Sequence, residues 1–218
     1  MVALALVAAG VTAFVLVRSE RRTDQLAEHQ AQLEHACEGL LPVAELRPLV
    51  PSDSAGRAEE FGVLLDGRPS RALLDRTLAW GGGEDEWEPD ARVRVRAVAA
   101  LPGEEDELAP GDLDETVGTW PAPPGGRGDL TYDSTPHGGS VTAWLRLDCP
   151  GGLSSRVRTS HDLRVRVDHP VRADYESDLT PRERLVPART AVRVANWIAS
   201  ARDCASPRWP SPDKVVEK

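Results

Sequence analysis

The chain has 218 residues, with 26 basic against 35 acidic side chains and a formal net charge of −9. That acidic balance argues against a nucleic-acid partner, which needs a basic face to meet phosphates. Eighteen glycines and eighteen prolines point to long loops, and the aromatic content is mostly tryptophan, six against two tyrosines and two phenylalanines.

Residues 2–17 carry no charge and no strongly polar group, and Arg18, Arg21 and Arg22 close the run. A helix over that run reaches roughly 24 Å against about 30 Å of hydrocarbon, so Ser19 and snorkelling arginines must complete the span. A cleaved signal peptide competes, because Val11-Thr12-Ala13 resembles a cleavage site. Against it, residues 14–17 continue the apolar run and no basic residue precedes it. The expectation is an uncleaved transmembrane anchor over residues 1–22 in a single-pass protein of the cell membrane. The arginine flank favours a cytoplasmic C-terminal region, whereas the cysteines favour an extracytoplasmic one, the orientation expected here.

Residues 23–50 read as a juxtamembrane helical segment. Leu26, Leu33 and Leu40 give it a narrow apolar seam, and Gly39 and Pro42 act as stops. Residues 51–102 form a first αβ half, with short apolar runs at 61–65 and 77–80. In it Arg92-Val93-Arg94-Val95-Arg96-Ala97-Val98 alternates charged and apolar residues, as a strand with one buried and one wet face does. Its arginines are read as solubilising and as guarding an edge. Residues 103–140 are acidic and rich in Pro and Gly, with Glu104-Glu105-Asp106-Glu107 and Pro121-Ala122-Pro123-Pro124-Gly125-Gly126. They are expected to be one long loop.

A second αβ half spans 141–206. Strands are expected at 141–147 and 162–167, where Leu163-Arg164-Val165-Arg166-Val167 repeats the arginine–valine alternation. Thr180, Pro181 and Glu183 spell a capping box that opens a helix, kinked or restarted at Pro187 and running to about Arg202. Val194, Trp197, Ile198 and Ala201 share one face of it. A flexible tail is expected over 207–218. The fold class is therefore α+β: a transmembrane helix, then short antiparallel strands packed with helices, as two similar halves joined by a long loop.

Of the three cysteines, none sits in a C-x-x-C spacing, so zinc is not expected. Cys149 ends an expected strand and Cys204 follows the expected helix. A disulfide between them would staple the helix to the sheet, worth roughly 4 kcal/mol in the chain-entropy account, and would persist outside the cytoplasm. The alternative of three ordinary core cysteines stays open. Cys37 is left over, either buried or linking two copies into a homodimer.

No catalytic residue is assigned. Ser160-His161-Asp162 holds the residue types of a hydrolase triad, but neighbours on a strand point to opposite faces and no Gly-x-Ser-x-Gly elbow occurs. His161, Asp162, Asp168 and His169 sit at the two ends of one strand, too far apart for one ion. The acidic runs lack calcium-loop spacing, and Gly81-Gly82-Gly83 is followed by acids that repel phosphate. No metal and no cofactor is expected. Arg127-Gly128-Asp129 spells an adhesion tripeptide, a chance match in this composition. Trp144 and Trp197 read as core, while Trp87 and Trp120, flanked by acids, glycines and prolines, are the candidates for surface recognition.

Three stretches, Ala36-Cys37-Glu38-Gly39-Leu40-Leu41-Pro42, Leu145-Arg146-Leu147-Asp148-Cys149-Pro150-Gly151-Gly152 and Val194-Ala195-Asn196-Trp197-Ile198 with Asp203-Cys204, resemble uncharacterised single-anchor secreted and membrane proteins of high-GC Gram-positive bacteria. The resemblance implies an outward-facing domain with Cys149 bridged to Cys204, and no activity. A partner cysteine near Trp80, carried by similar proteins, is missing from this chain. The expected function is a non-enzymatic binding or interaction module at the cell envelope, attached to the membrane by its N-terminal helix, with an envelope protein or a glycan as partner. An envelope hydrolase and a cytoplasm-facing membrane scaffold are the alternatives.

Overall fold

The computed structural model describes residues 40, 59–63, 72–80, 91–101, 103–104, 108–109, 115–135, 138–149, 161–171, 176–202, 204 and 208–217. The expected anchor, Cys37, Trp87, Ser160 and all of the juxtamembrane segment except Leu40 lie outside these residues. Leu40 packs, half-buried, against the core. Among the described residues no helix is long and apolar enough to cross a membrane.

Seven described strands make one antiparallel sheet: β1 (Glu59–Val63), β2 (Ala72–Trp80), β3 (Ala91–Ala100), β4 (Glu115–Thr119), β5 (Gly126–Thr135), β6 (Gly138–Cys149) and β7 (His161–Val171). Their order is β1-β2-β3-β7-β6-β5-β4. Two meanders, β1 to β3 and β4 to β7, thus fuse where β7 pairs with β3. The α+β class holds, but the picture of two halves tied by a long loop does not. Residues 103–140 contain β4, β5 and the start of β6. The arginines of β3 guard no edge either, because β3 lies inside the sheet between β2 and β7.

One long helix, α1 (Pro181–Ala201), covers one face of the sheet, against β7, β6 and β3. Its start is fixed by the capping box read in the sequence. The Glu183 N–H donates to the Thr180 hydroxyl at 3.2 Å, and the Thr180 N–H donates to the Glu183 carboxylate at 2.8 Å. Such a cap contributes about 1 kcal/mol. The helix is continuous through Pro187, where a kink or a restart was expected. Val186, Ala191, Val194 and Ile198 are fully buried against Val95, Leu145, Val165 and their neighbours; Trp197 is half-buried and Ala201 is exposed.

Beyond the helix, Cys204 is bonded to Cys149 at the end of β6, with Cα atoms 5.3 Å apart, inside the range such bonds occupy. The chain then turns back along α1. Asn196 meets Trp209, Arg193 meets Asp213 and Arg184 meets Glu217. Trp209 and Val215 are buried, so residues 208–217 are packed where a flexible tail was expected. The physical reason is local. Trp209 fills space that Gly128 in β5 leaves open, and Glu217 lies against Gly118 in β4.

Candidate functional site

Alternation along β7 sorts its side chains between two environments. Leu163, Val165, Val167, His169 and Val171 lie under α1, whereas Asp162, Arg164, Arg166 and Asp168 project from the opposite face. On that polar face the register sets like against like. Arg96 is opposite Arg166, Arg164 is opposite Arg146, and Arg146 is opposite Arg127. Like charges directly opposite one another destabilise a sheet.

Aspartates one row away relieve the repulsion. Asp168 accepts from Arg166 at 2.7 Å, Arg96 at 3.2 Å and the Thr142 hydroxyl at 2.9 Å. Asp129 accepts from Arg127 at 2.8 Å. Asp162 lies 2.8 Å from the Arg146 guanidinium and 3.6 Å from that of Arg164, as charge contacts off the hydrogen-bond line. At the outer edge of the patch Asp75 takes two hydrogen bonds from Arg94, which raise the arginine's pKa against the opposing effect of burial.

The described residues between β3 and β4 include some that meet this face. β3 ends in the interior of the sheet and β4 lies at the far edge, while α1 occupies the other side. Arg164 donates to the Glu104 carbonyl at 2.8 Å and Arg166 to the Ala109 carbonyl at 3.3 Å, and Leu108 between them is buried. Beneath it Arg164 and Asp162 are each only 2% exposed. A charge buried to that extent is tolerable only when paired. Farther along, the Arg127 guanidinium sits 5.7 Å from the centre of the Trp144 ring, a cation–π distance. Trp144 is buried, and among the described residues its Nε1–H and the Arg96 Nε–H meet no acceptor.

The residues singled out in the sequence fall elsewhere. Trp120, a candidate for surface recognition, is 4% exposed. Its indole lies over Gly128, where no side chain holds it off, and meets Trp209 with ring centres 6.0 Å apart. It therefore belongs to the core. Arg127-Gly128-Asp129 is the start of β5, its two charged ends bonded to each other on the polar face and its glycine under Trp120. It is not displayed on a loop. Asp162 and Asp168 lie on the polar face and His169 under the helix, and among the described residues no three metal-binding side chains gather.

His169 is fully buried, and its Nδ1–H donates to the Pro170 carbonyl at 2.6 Å. Its Nε2 has no partner among the described residues. Burial lowers its pKa to about 4, against weaker opposing effects of the Pro170 carbonyl and Glu183. At neutral pH it is an uncharged core residue. The signal for the polar face was present in the sequence, in the two arginine–valine alternations at 92–96 and 163–167. What it lacked was the pairing that makes β3 and β7 neighbours.

Compared with known proteins, the chain matches no family model, no curated sequence and no solved structure.

Proposed function

We propose that this protein is a membrane-anchored, extracytoplasmic binding module that meets its envelope partner through the polar face of the sheet. The carrying observation is the Cys149–Cys204 pairing, which ties the end of β6 to the segment just past α1. A bond of that kind endures in an oxidising compartment and is rare in the cytoplasm. The apolar run at residues 2–17 supplies the attachment. The polar face supplies guanidinium donors, which bind and orient anionic or polar groups while holding their protons throughout the physiological range. That is the equipment of recognition.

The test is the thiol state in intact cells, by alkylation before and after reduction followed by peptide mapping. A linked Cys149–Cys204 peptide pair is the expected result. Free thiols at both positions would place the domain in the cytoplasm and favour a scaffold there.

A further inference from the structure

Leu74 and Leu78 of β2 stand opposite Ala97 and Val93 of β3, and Ala97 and Val95 stand opposite Val165 and Val167 of β7. These side chains therefore share the face of the sheet that carries α1. On β2 and β3 they are closed off from solvent, Leu74, Leu78, Val93, Val95 and Ala97 each being at most 2% exposed. On the other face of the same two strands, Asp75 and Arg94 are open to water. The burial is specific to the helix side.

α1 is too narrow to account for it. A helix is about 10 Å across and strands lie about 4.8 Å apart, so one helix covers two strands. α1 lies over β6 and β7 and reaches only the margin of β3. β2 stands two strand spacings beyond β7, roughly 10 Å away, which is the distance at which a second helix packs beside a first. Arg76 lies in this patch between Leu74 and Leu78, its Nε shut off from solvent.

We propose that residues 23–40 are that second helix, docked beside α1 over β2 and β3. Leu40, the described residue of this stretch, packs half-buried against the core. In a helix ending there, Leu26 and Leu33 continue the same apolar seam. Its length of roughly 27 Å suits β2 and β3, nine and ten residues long and thus about 31–34 Å. Its charged residues, Asp24, Glu28, Glu34 and Glu38, are all acidic, the complement that a guanidinium under cover requires. The hairpin connections 64–71, 81–90 and 150–160 hold at most two large apolar side chains each, too few for a patch two strands wide.

Docked this way, the segment joins residues 1–22 to the sheet without a slack tether. It also puts Cys37, one turn from both Leu33 and Leu40, in the interior as an enclosed thiol instead of a link between two copies.

The experiment uses the full-length chain in neutral detergent, with Cys149 and Cys204 bonded. A maleimide is expected to modify Cys37 about a hundredfold more slowly in buffer than in urea. p-Benzoylphenylalanine in place of Gln30, beside the seam, is expected on illumination to cross-link within residues 72–80 or 91–100 of the same chain. In place of Ala31, on the opposite side of the helix, it should leave those strands unlabelled. Leu33→Gln should lower the urea midpoint and remove most of the protection of Cys37, whereas Ala31→Gln keeps both near wild type.

The proposal is overturned if position 30 labels neither strand, or labels them only in another copy. Rapid modification of Cys37 in buffer, a Cys37–Cys37 link, or equal effects of the two glutamine substitutions overturn it as well. These readouts concern the docking alone. Free thiols at Cys149 and Cys204 in intact cells would remove the extracytoplasmic placement and leave the docking standing.

Discussion

The side chain of Asn196 grips the backbone of Trp209 at two points, its Oδ1 accepting from the Trp209 N–H at 3.1 Å and its Nδ2 donating to the Trp209 carbonyl at 3.3 Å. One side chain from the last two turns of α1 thus stands in for the backbone partner a strand would have given. Replacing Asn196 with Ala leaves two backbone groups unpaired, a cost of about 1–3 kcal/mol. The expected signature is a lower urea midpoint and faster trypsin cleavage after the exposed Arg208. An unchanged cleavage rate would mean the packing of Trp209 and Val215 holds the segment alone.

His169 sets an acid limit on stability. Its pKa is about 4 in the folded chain, against about 6.5 unfolded. The unfolded state binds more protons between those values, so stability rises with pH across this window. Its contribution is fully present above about pH 6.5 and is lost as pH falls toward 4, a change of about 3 kcal/mol. His169→Asn keeps a donor for the Pro170 carbonyl and removes the titration. Urea midpoints measured at several pH values should show a flatter slope for this variant across the window, despite lower stability at pH 7.

How far the sequence discloses this fold depends on where its periodicity survives. β3 and β7 announce themselves because Val93, Val95, Val165 and Val167 alternate with arginines, and Thr180 to Glu183 spell out the helix start. β5 hides because Gly128 stands on its buried side, its space filled by Trp120 and Trp209 from distant segments. β4 hides because it is five residues long and carries a glycine. Trp209 and Val215 have no period to reveal, since their burial is decided by a groove that exists only after folding. Pairing of the two arginine-bearing strands is a long-range choice, so the polar face was legible as separate strands and not as one surface.

Gly128 offers a further check. A Cβ added there would stand 2.7 Å from the Trp120 ring and 3.0 Å from the Trp209 ring. Both indoles are packed in the core and cannot withdraw freely, so Gly128→Ala should cost about 1–3 kcal/mol through overpacking. Tryptophan emission should shift to longer wavelength as the pair separates. A wild-type spectrum and melting temperature would contradict the close approach.

The covalent link predicts a larger loss. The closed loop separates its ends by 55 residues, and removing such a bond costs roughly 4 kcal/mol in the chain-entropy account. A Cys149→Ala, Cys204→Ala double variant should therefore have a clearly lower urea midpoint than the oxidised wild type. It should match the reduced wild type. A double variant as stable as the oxidised protein would show that the bond constrains little.

Strand order also dictates when the molecule can close. β7 is the last of the seven described strands to be synthesised, yet it lies between β1–β3 on one side and β4–β6 on the other. Until residue 171 is available these two groups of strands have no common neighbour, and until residue 201 the buried side of the sheet lacks α1. Long-range pairings of this kind form slowly. A chain delivered amino-terminus first would therefore remain loose enough to be threaded through a narrow channel for most of its length, and would lock only once its final quarter had emerged.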